Sequence, residues 1–243
     1  MDVRVFATAD ETARALADRI AGVIAAKPDA ALGLPTGKSP VATYAELRRM
    51  YEAGLVDFSR VRTFNLDEFA GIGASHPGSF RRFMDEHLFR HVNLPATQIQ
   101  FLNGATPDLD AECARYEDAI TAVGGIDLQL LGIGANGHIG FNEPADELVA
   151  RTHRVALHDV TRRENAALFG GEAGGVPREA LSMGMGTILK AAAIVMIATG
   201  ERKASCVRAM VRGPLTTRLP ASFLQTHRRA EVFLDRDAAS LLS

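Results

Sequence analysis

Leu130-Leu-Gly-Ile-Gly-Ala-Asn-Gly-His-Ile-Gly-Phe-Asn-Glu-Pro144 is the stretch on which the reading of the fold turns. It leaves a continuous apolar run, Ile126 to Leu131, that reads as a strand buried on both faces. Glycines then follow at 132, 134, 137 and 140, with His138 and Glu143 among them. Gly132-x-Gly134-x-x-Gly137 formally matches the dinucleotide fingerprint, and Asp159 follows at about the right distance. A fingerprint of that kind must open a helix, and Pro144 would then stand in the helix interior, where it is strongly disfavoured. The stretch therefore reads as a strand followed by a functional loop. Its imidazole and carboxylate are the ingredients of an acid–base pair.

Outward from this loop, apolar strands alternate with amphipathic helices. Strands are expected at Val3 to Ala7, Ala30 to Leu34, Val61 to Leu66, Ile99 to Leu102, His153 to Leu157, Ala193 to Ala198 and Ala230 to Leu234. Helices are expected from Asp10, as a cap, to Ala26, and from Val41 to Tyr51, Ser79 to Phe89 and Thr161 to Phe169. Two more follow at Glu201 to Arg212 and Asp237 to Leu242. Leu109, Cys113, Tyr116 and Ile120 mark a further helix by their spacing, and Glu172 to Pro177 is a glycine-rich loop. The alternation predicts an α/β fold, a single three-layer doubly wound domain with a mostly parallel sheet, spanning residues 1–243. Ligands in such sheets sit beyond the C-terminal strand ends. Thr36 to Ser39, Asp67, Asn136 to Glu143 and Lys203 all follow expected strands, so they converge on one rim.

Composition narrows the partners. The 243 residues carry 27 Lys and Arg against 29 Asp and Glu, a net charge of −2 that offers no electrostatic footprint for nucleic acid. Cys113 and Cys206 lack the spacing of a metal or redox motif, which fits a reducing compartment. No apolar run is long enough for a membrane span and the N-terminus has no leader pattern, so a cytoplasmic location is expected. His87 and His91 are four apart, but leucine follows His87 where a zincin needs glutamate, and no metal site is expected.

Gly33-Leu-Pro-Thr-Gly-Lys-Ser-Pro40 joins a strand to a helix. Its hydroxyls, lysine and free helix-terminal amides suit a phosphate, although Leu32 rules out a Walker A loop. An ordinary turn with Ser39 as N-cap fits the same letters. Asp67 and Glu68 end a strand as adjacent acids; successive side chains point apart, so at most one is a general base. A solvated strand terminus is the other reading of that pair.

Taken together, these segments resemble the glucosamine-6-phosphate deaminase/isomerase family. The resemblance runs through the Gly-Leu-Pro-Thr-Gly loop, Phe64-Asn-Leu-Asp-Glu-Phe69, Gly137-His-Ile-Gly-Phe-Asn-Glu-Pro144, Met183-Gly-Met-Gly-Thr187, Gly200-Glu-Arg-Lys-Ala204 and Pro220 to His227. It implies a Rossmann-like fold of the sugar-phosphate isomerase/deaminase type. The implied reaction converts glucosamine 6-phosphate and water into fructose 6-phosphate and ammonium, with no cofactor. Asp67 would shuttle the proton between C2 and C1, His138 would assist ring opening, and Glu143 would orient the histidine. Thr36, Gly37, Lys38, Ser39 and Lys203 would hold the phosphate. Galactosamine-6-phosphate deaminase is the alternative, ahead of 6-phosphogluconolactonase and a non-catalytic sugar-phosphate sensor. The expected partner is a small aminosugar phosphate, and the oligomeric state, including a homo-oligomer, stays open.

This chain departs from the family pattern at three places. Asn136 stands where part of the family has aspartate, which should make His138 more dependent on Glu143. Ala167 replaces a phosphate-binding arginine, and Arg163 or Lys38 is the expected substitute cation. Glu147, His153 and Val155 stand where allosteric members carry groups that bind N-acetylglucosamine 6-phosphate, so hyperbolic kinetics are expected.

Overall fold

A computed structural model describes residues 1–242 of the chain. Strand β1 (Asp2–Phe6) leads into helix α1 (Ala9–Ala26), capped by Thr8 rather than by the expected Asp10. Thr8 Oγ1 accepts from the Glu11 amide while Glu11 Oε2 accepts from the Ala7 amide. That pair of bonds, close to a capping box, places the cap two residues before Asp10. β2 (Ala31–Leu34) and α2 (Val41–Glu52) follow. Ser39 is not the cap of α2: Pro40 occupies that position, no side chain caps the helix, and the Val41 amide turns back to Lys38 O, leaving the next amides without a side-chain cap.

The expected strand at 61–66 forms, and the residues just beyond it form a further strand that was not expected. β3 (Arg62–Asn65) belongs to the large sheet, whereas β4 (Asp67–Phe69) turns into a second one. α3 (Phe80–His87), β5 (Ile99–Gln100), α4 (Leu109–Ala122) and β6 (Leu128–Leu131) come next. β7 (His153–Ala156) precedes α5 (Asp159–Asn165), which tightens into a 3₁₀ turn over Ala166–Phe169. β8 (Glu179–Ser182) and the short α6 (Met185–Leu189) were not foreseen from sequence. β9 (Ile194–Ala198), α7 (Ala204–Arg212) and β10 (Ala230–Asp235) complete the order. Asp237 to Leu242 forms turns rather than the expected helix; the Asp235 carboxylate accepts from the Ala238 amide and ends regular structure there. The last residue of the expected 1–243 domain lies outside the described residues.

The large sheet is wholly parallel, in the order β1-β10-β9-β6-β2-β3-β5. Residues alternate between its faces: Ile194, Met196 and Ala198 pack with α4, α6 and α7, and Val195 and Ile197 pack with α1 and α2. Both faces are therefore covered, as parallel sheets require, which gives the three layers that the sequence pattern predicts. α1 shows the logic in one element. Leu16, Ile20 and Ile24 recur at helical spacing and are all buried, each stabilising the fold by about 1.5–3 kcal/mol. Leu16→Ala would leave a cavity costing about 2–5 kcal/mol.

Successive connections run outward in opposite directions from β2 and β6, which are neighbours. A crevice opens at such a switch point beyond the strand ends. The small antiparallel sheet, β4-β8-β7, lies at that same end because Leu66 links β3 directly to β4. A compact aromatic cluster of Phe69, Phe80 and Phe141 ties β4, α3 and the loop after β6 together, with Leu157, Ala166 and Val176 against it.

Candidate active site

The loop after β6 contains no helix before β7, so its three glycines are not a nucleotide turn. Instead the backbone doubles back, with the Gly137 amide donating to Gly134 O and the Gly134 amide to His138 O. Gly137 has φ +86°, open to glycine and strained for other residues. A Cβ on Gly134 would stand 2.2 Å from the His138 ring. The glycines thus let the imidazole fold flat onto its own loop, and the histidine side chain is only 21% exposed.

Two donors hold the plane of Glu143. Thr161 Oγ1 donates to Oε1 at 2.5 Å, and Asn136 Nδ2 donates to Oε2 at 2.8 Å. His138 Nδ1 lies 3.6 Å from Oε2 and has no hydrogen-bond partner among the described residues. That gap is an ion-pair distance for a protonated imidazole and too long for a hydrogen bond. Burial opposes the charge on Glu143, yet His138, Thr161 and Asn136 together bring its pKa down to about 2. Asn136 is therefore more than a neutral replacement for aspartate. Its amide nitrogen serves Glu143 while its Oδ1 accepts from the His138 amide at 3.2 Å, so it braces both members of the pair.

Asp67 opens β4 opposite Ser182 of β8. It is buried and its Oδ1 has no partner among the described residues. Burial, with the Glu68 charge beside it, pushes its pKa up to about 8. Glu68 points the other way, as the alternation of a strand requires. Its carboxylate accepts from Ser79 Oγ at 2.7 Å and from the amides of Phe69, Phe80 and Arg81, fastening the start of α3. Of the adjacent acids, one is built into the fold and the other is left free.

Ser182 and Asn142 connect these two parts. Ser182 Oγ accepts from the Phe141 amide at 3.1 Å, and Asn142 Nδ2 donates to Ile139 O and Met183 O. A Cβ on Gly140 would meet Ser182 Oγ at 3.1 Å and Asp67 Oδ2 at 3.3 Å, so the loop backbone runs directly beside the free carboxylate.

On the opposite lip of the crevice, Thr36 to Ser39 leave β2, with Gly37 at φ +91°. The buried Tyr44 hydroxyl donates to Pro35 O at 2.6 Å and fixes the base of this loop to α2. Lys38 is exposed. Lys203 ends the turn before α7, and its Nζ donates to Ile133 O at 2.7 Å, against the glycine loop. Burial lowers its pKa, partly opposed by Cys206 and Glu164. Arg163 is exposed on α5 and makes no ion pair among the described residues. On that helix the structure turns Thr161 to Glu143 and brings Glu164 within electrostatic reach of Lys203.

Asp67, Asn136, His138, Glu143, Thr36 to Ser39 and Lys203 thus follow β2, β3, β6 and β9, four consecutive strands of the sheet. Thr161, Ser182 and Asn142 were missed in the sequence reading. Thr161 looked like the start of a helix, Ser182 lay in an unrecognised strand, and Asn142 stood inside a quoted motif without an assigned task. No group of three or more metal-ligating side chains occurs among the described residues, and His91 instead faces Glu86 O. Among the described residues no helix is long and apolar enough to cross a membrane.

The family described as glucosamine-6-phosphate isomerases/6-phosphogluconolactonase matches residues 5–233. The chain belongs to this family. It is 51% identical over 220 residues to glucosamine-6-phosphate deaminase 2 of Bacillus subtilis (strain 168), covering 90% of this chain and 88% of that one. Against glucosamine-6-phosphate deaminase of Thermoanaerobacter sp. (strain X514) it is 42% identical, covering 100% and 95%. A solved structure of a monomeric glucosamine-6-phosphate deaminase superposes with a TM-score of 0.96 at 41% identity, over 99% of this chain and 100% of that one. The 6-phosphogluconolactonase of Thermotoga maritima shares the fold, with a TM-score of 0.76, 16% identity and coverage of 96% and 99%.

Proposed function

We propose that this family member is a glucosamine-6-phosphate deaminase, converting glucosamine 6-phosphate and water into fructose 6-phosphate and ammonium. The observation that carries the reading is the pairing, at one strand-end crevice, of an unpartnered buried carboxylate with a braced imidazole–carboxylate couple. An aldose–ketose conversion needs these parts: a base for the C2 proton and a group that moves a proton at the ring oxygen. His138 opens the pyranose ring, and Glu143 orients it, its Oε2 3.6 Å from Nδ1. Asp67 then takes the C2 proton and returns it to C1. The resulting C2 iminium adds water and expels the amine, which leaves as ammonium.

Asp67 must be ionised to act, and burial together with the Glu68 charge pushes its pKa up to about 8. The 2-ammonium group of the substrate supplies the missing positive charge, so binding favours the carboxylate form. The phosphate is held by Thr36, Gly37, Lys38 and Ser39 at the open end of α2, with Lys203 across the crevice. Anchoring it positions the sugar carbons over Asp67 and spends remote binding energy on the chemical step. Arg163 or Lys38 takes the place of the arginine that Ala167 removes. Alanine at each in turn raises KM if so, whereas unchanged KM in both sinks that assignment.

Ammonium release from glucosamine 6-phosphate, measured beside the galactosamine epimer and with Asp67→Asn as control, tests the reading. Release from the glucosamine epimer that disappears in the variant supports it. Release that persists in Asp67→Asn, or none from either epimer, refutes it.

A further inference from the structure

Thr161 has no part in any motif of the chain, yet its hydroxyl makes one of the shortest contacts of the site. Its Oγ1 stands 2.5 Å from Glu143 Oε1, and both residues are buried, at 4% and 7% exposure. The hydroxyl is not used to cap its own helix: α5 begins at Asp159 behind His158, and no side chain caps it. A buried hydroxyl needs a partner, and here that partner is the carboxylate nearest His138.

The geometry around Glu143 gives this bond its consequence. Oε2 is shared between Asn136 Nδ2 at 2.8 Å and His138 Nδ1 at 3.6 Å. The carboxylate rotates about its last torsion unless both oxygens are held. Asn136 lies on the same loop as Glu143 and His138 and moves with them. Thr161 is the one donor to Glu143 among the described residues that comes from outside the loop.

α5 is itself fixed from several sides. Arg162 donates to Ala173 O and Val176 O, Asn165 Nδ2 donates to Thr161 O, and Ala166 packs in the aromatic cluster with Phe69 and Phe141. The hydroxyl is thereby referenced to β4, which carries Asp67, as well as to the loop.

We infer that Thr161 is a positioning residue for the acid–base couple: its hydroxyl fixes the plane of Glu143 so that Oε2 faces His138, and it ties that orientation to the seating of α5. The inference rests on the deaminase reading for its kinetic consequence, whereas its electrostatic consequence is read without substrate. Valine keeps the volume and removes the donor, and serine keeps the donor.

The decisive comparison is Thr161→Val against Thr161→Ser in the full chain. The carboxyl carbon of Glu143 is titrated by NMR in the free protein, and ammonium release gives kcat and KM. In Thr161→Val the Glu143 midpoint is expected to rise by about one pH unit, since a donor to the charged form is lost. kcat is expected to fall about tenfold with KM changed less than about twofold, and Thr161→Ser to restore both readings.

A Glu143 midpoint unmoved by valine overturns the inference. So does a kcat loss that serine does not rescue, since a packing defect alone would produce it. If the parent protein released no ammonium at all, the deaminase reading would fall while the Glu143 titration still decided whether Thr161 holds the carboxylate.

Discussion

Asp67 and Glu143 are both buried carboxylates at the same crevice, and the fold treats them in opposite ways. The loop after β6 gives Glu143 one neutral donor, Asn136, and a nearby imidazole, α5 adds a second donor in Thr161, and its pKa falls to about 2 despite burial. β4 gives Asp67 burial, an adjacent acid and an unpartnered Oδ1, and its pKa rises to about 8. The difference lies in the donors and neighbouring charges, because burial raises both. In the proposed mechanism Glu143 orients His138. Asp67 is the base, which receives its counter-charge when substrate arrives. Glu68, next in sequence to Asp67, accepts four hydrogen bonds, three of them from Ser79 and the start of α3.

The largest test of this contrast is Asp67→Asn, which keeps the shape and removes the base. kcat for ammonium release is expected to fall by about 10²–10⁴-fold, the range that general-base catalysis supplies. Glu143→Gln should cost less, about 10–100-fold in kcat, because the imidazole itself remains. If Glu143→Gln proved the more damaging of the two, the roles assigned to the two carboxylates would be reversed.

Glu68→Gln should separate structure from chemistry. It weakens charge-assisted bonds to Ser79 and the α3 amides, and a loss of about 1–3 kcal/mol in urea unfolding is expected. It also removes a like charge from beside Asp67, so the Asp67 pKa should move down from about 8. A Glu68→Gln enzyme with unchanged unfolding and unchanged pH profile would break the division of labour between the two acids.

The pH dependence of stability gives a smaller and more direct reading. The folded pKa of Asp67 lies above its unfolded value, so the folded state binds that proton more tightly. Its contribution is present below the ordinary carboxyl value near 3.8 and is lost as pH rises towards about 8. Glu143 has the opposite sign: its contribution is present above about 4.5 and is lost as pH falls towards about 2. Thermal melts from pH 3 to 9 should therefore lose the fall in stability between about pH 4 and 8 in Asp67→Asn, and the fall below about pH 4.5 in Glu143→Gln. Substitutions that left both slopes in place would show that other groups set them. Least disruptive of all should be adding N-acetylglucosamine 6-phosphate: the carboxylate of Glu147 and Val155 disfavour a phosphate there, so saturation curves should stay hyperbolic. Sigmoidal curves relieved by that compound would refute this.

Much of the architecture could be read from periodicity. The seven strands of the large sheet, the helices that cover it and the rim on which Asp67, His138 and Lys203 meet all left local patterns. Pro144 was enough to separate a strand-end loop from a nucleotide turn. The misreadings share a cause. β8 and α6 are short, and they form because Leu66 O and Val149 O accept from the Met183 and Met185 amides, partners more than thirty residues away. The turn at Leu66 into a second sheet is equally invisible, since only the pairing of β4 with β8 marks the change.

The sequence by itself determined the chemical groups and the strands that deliver them, because side-chain periodicity and strand-end loops are written in neighbouring residues. Tertiary structure alone decided which acid is free and which is bound, because a pKa depends on burial and on donors brought from distant segments. Ser79 silences Glu68 across 11 positions, and Thr161 fixes Glu143 across 18. No spacing rule in the chain announces either bond.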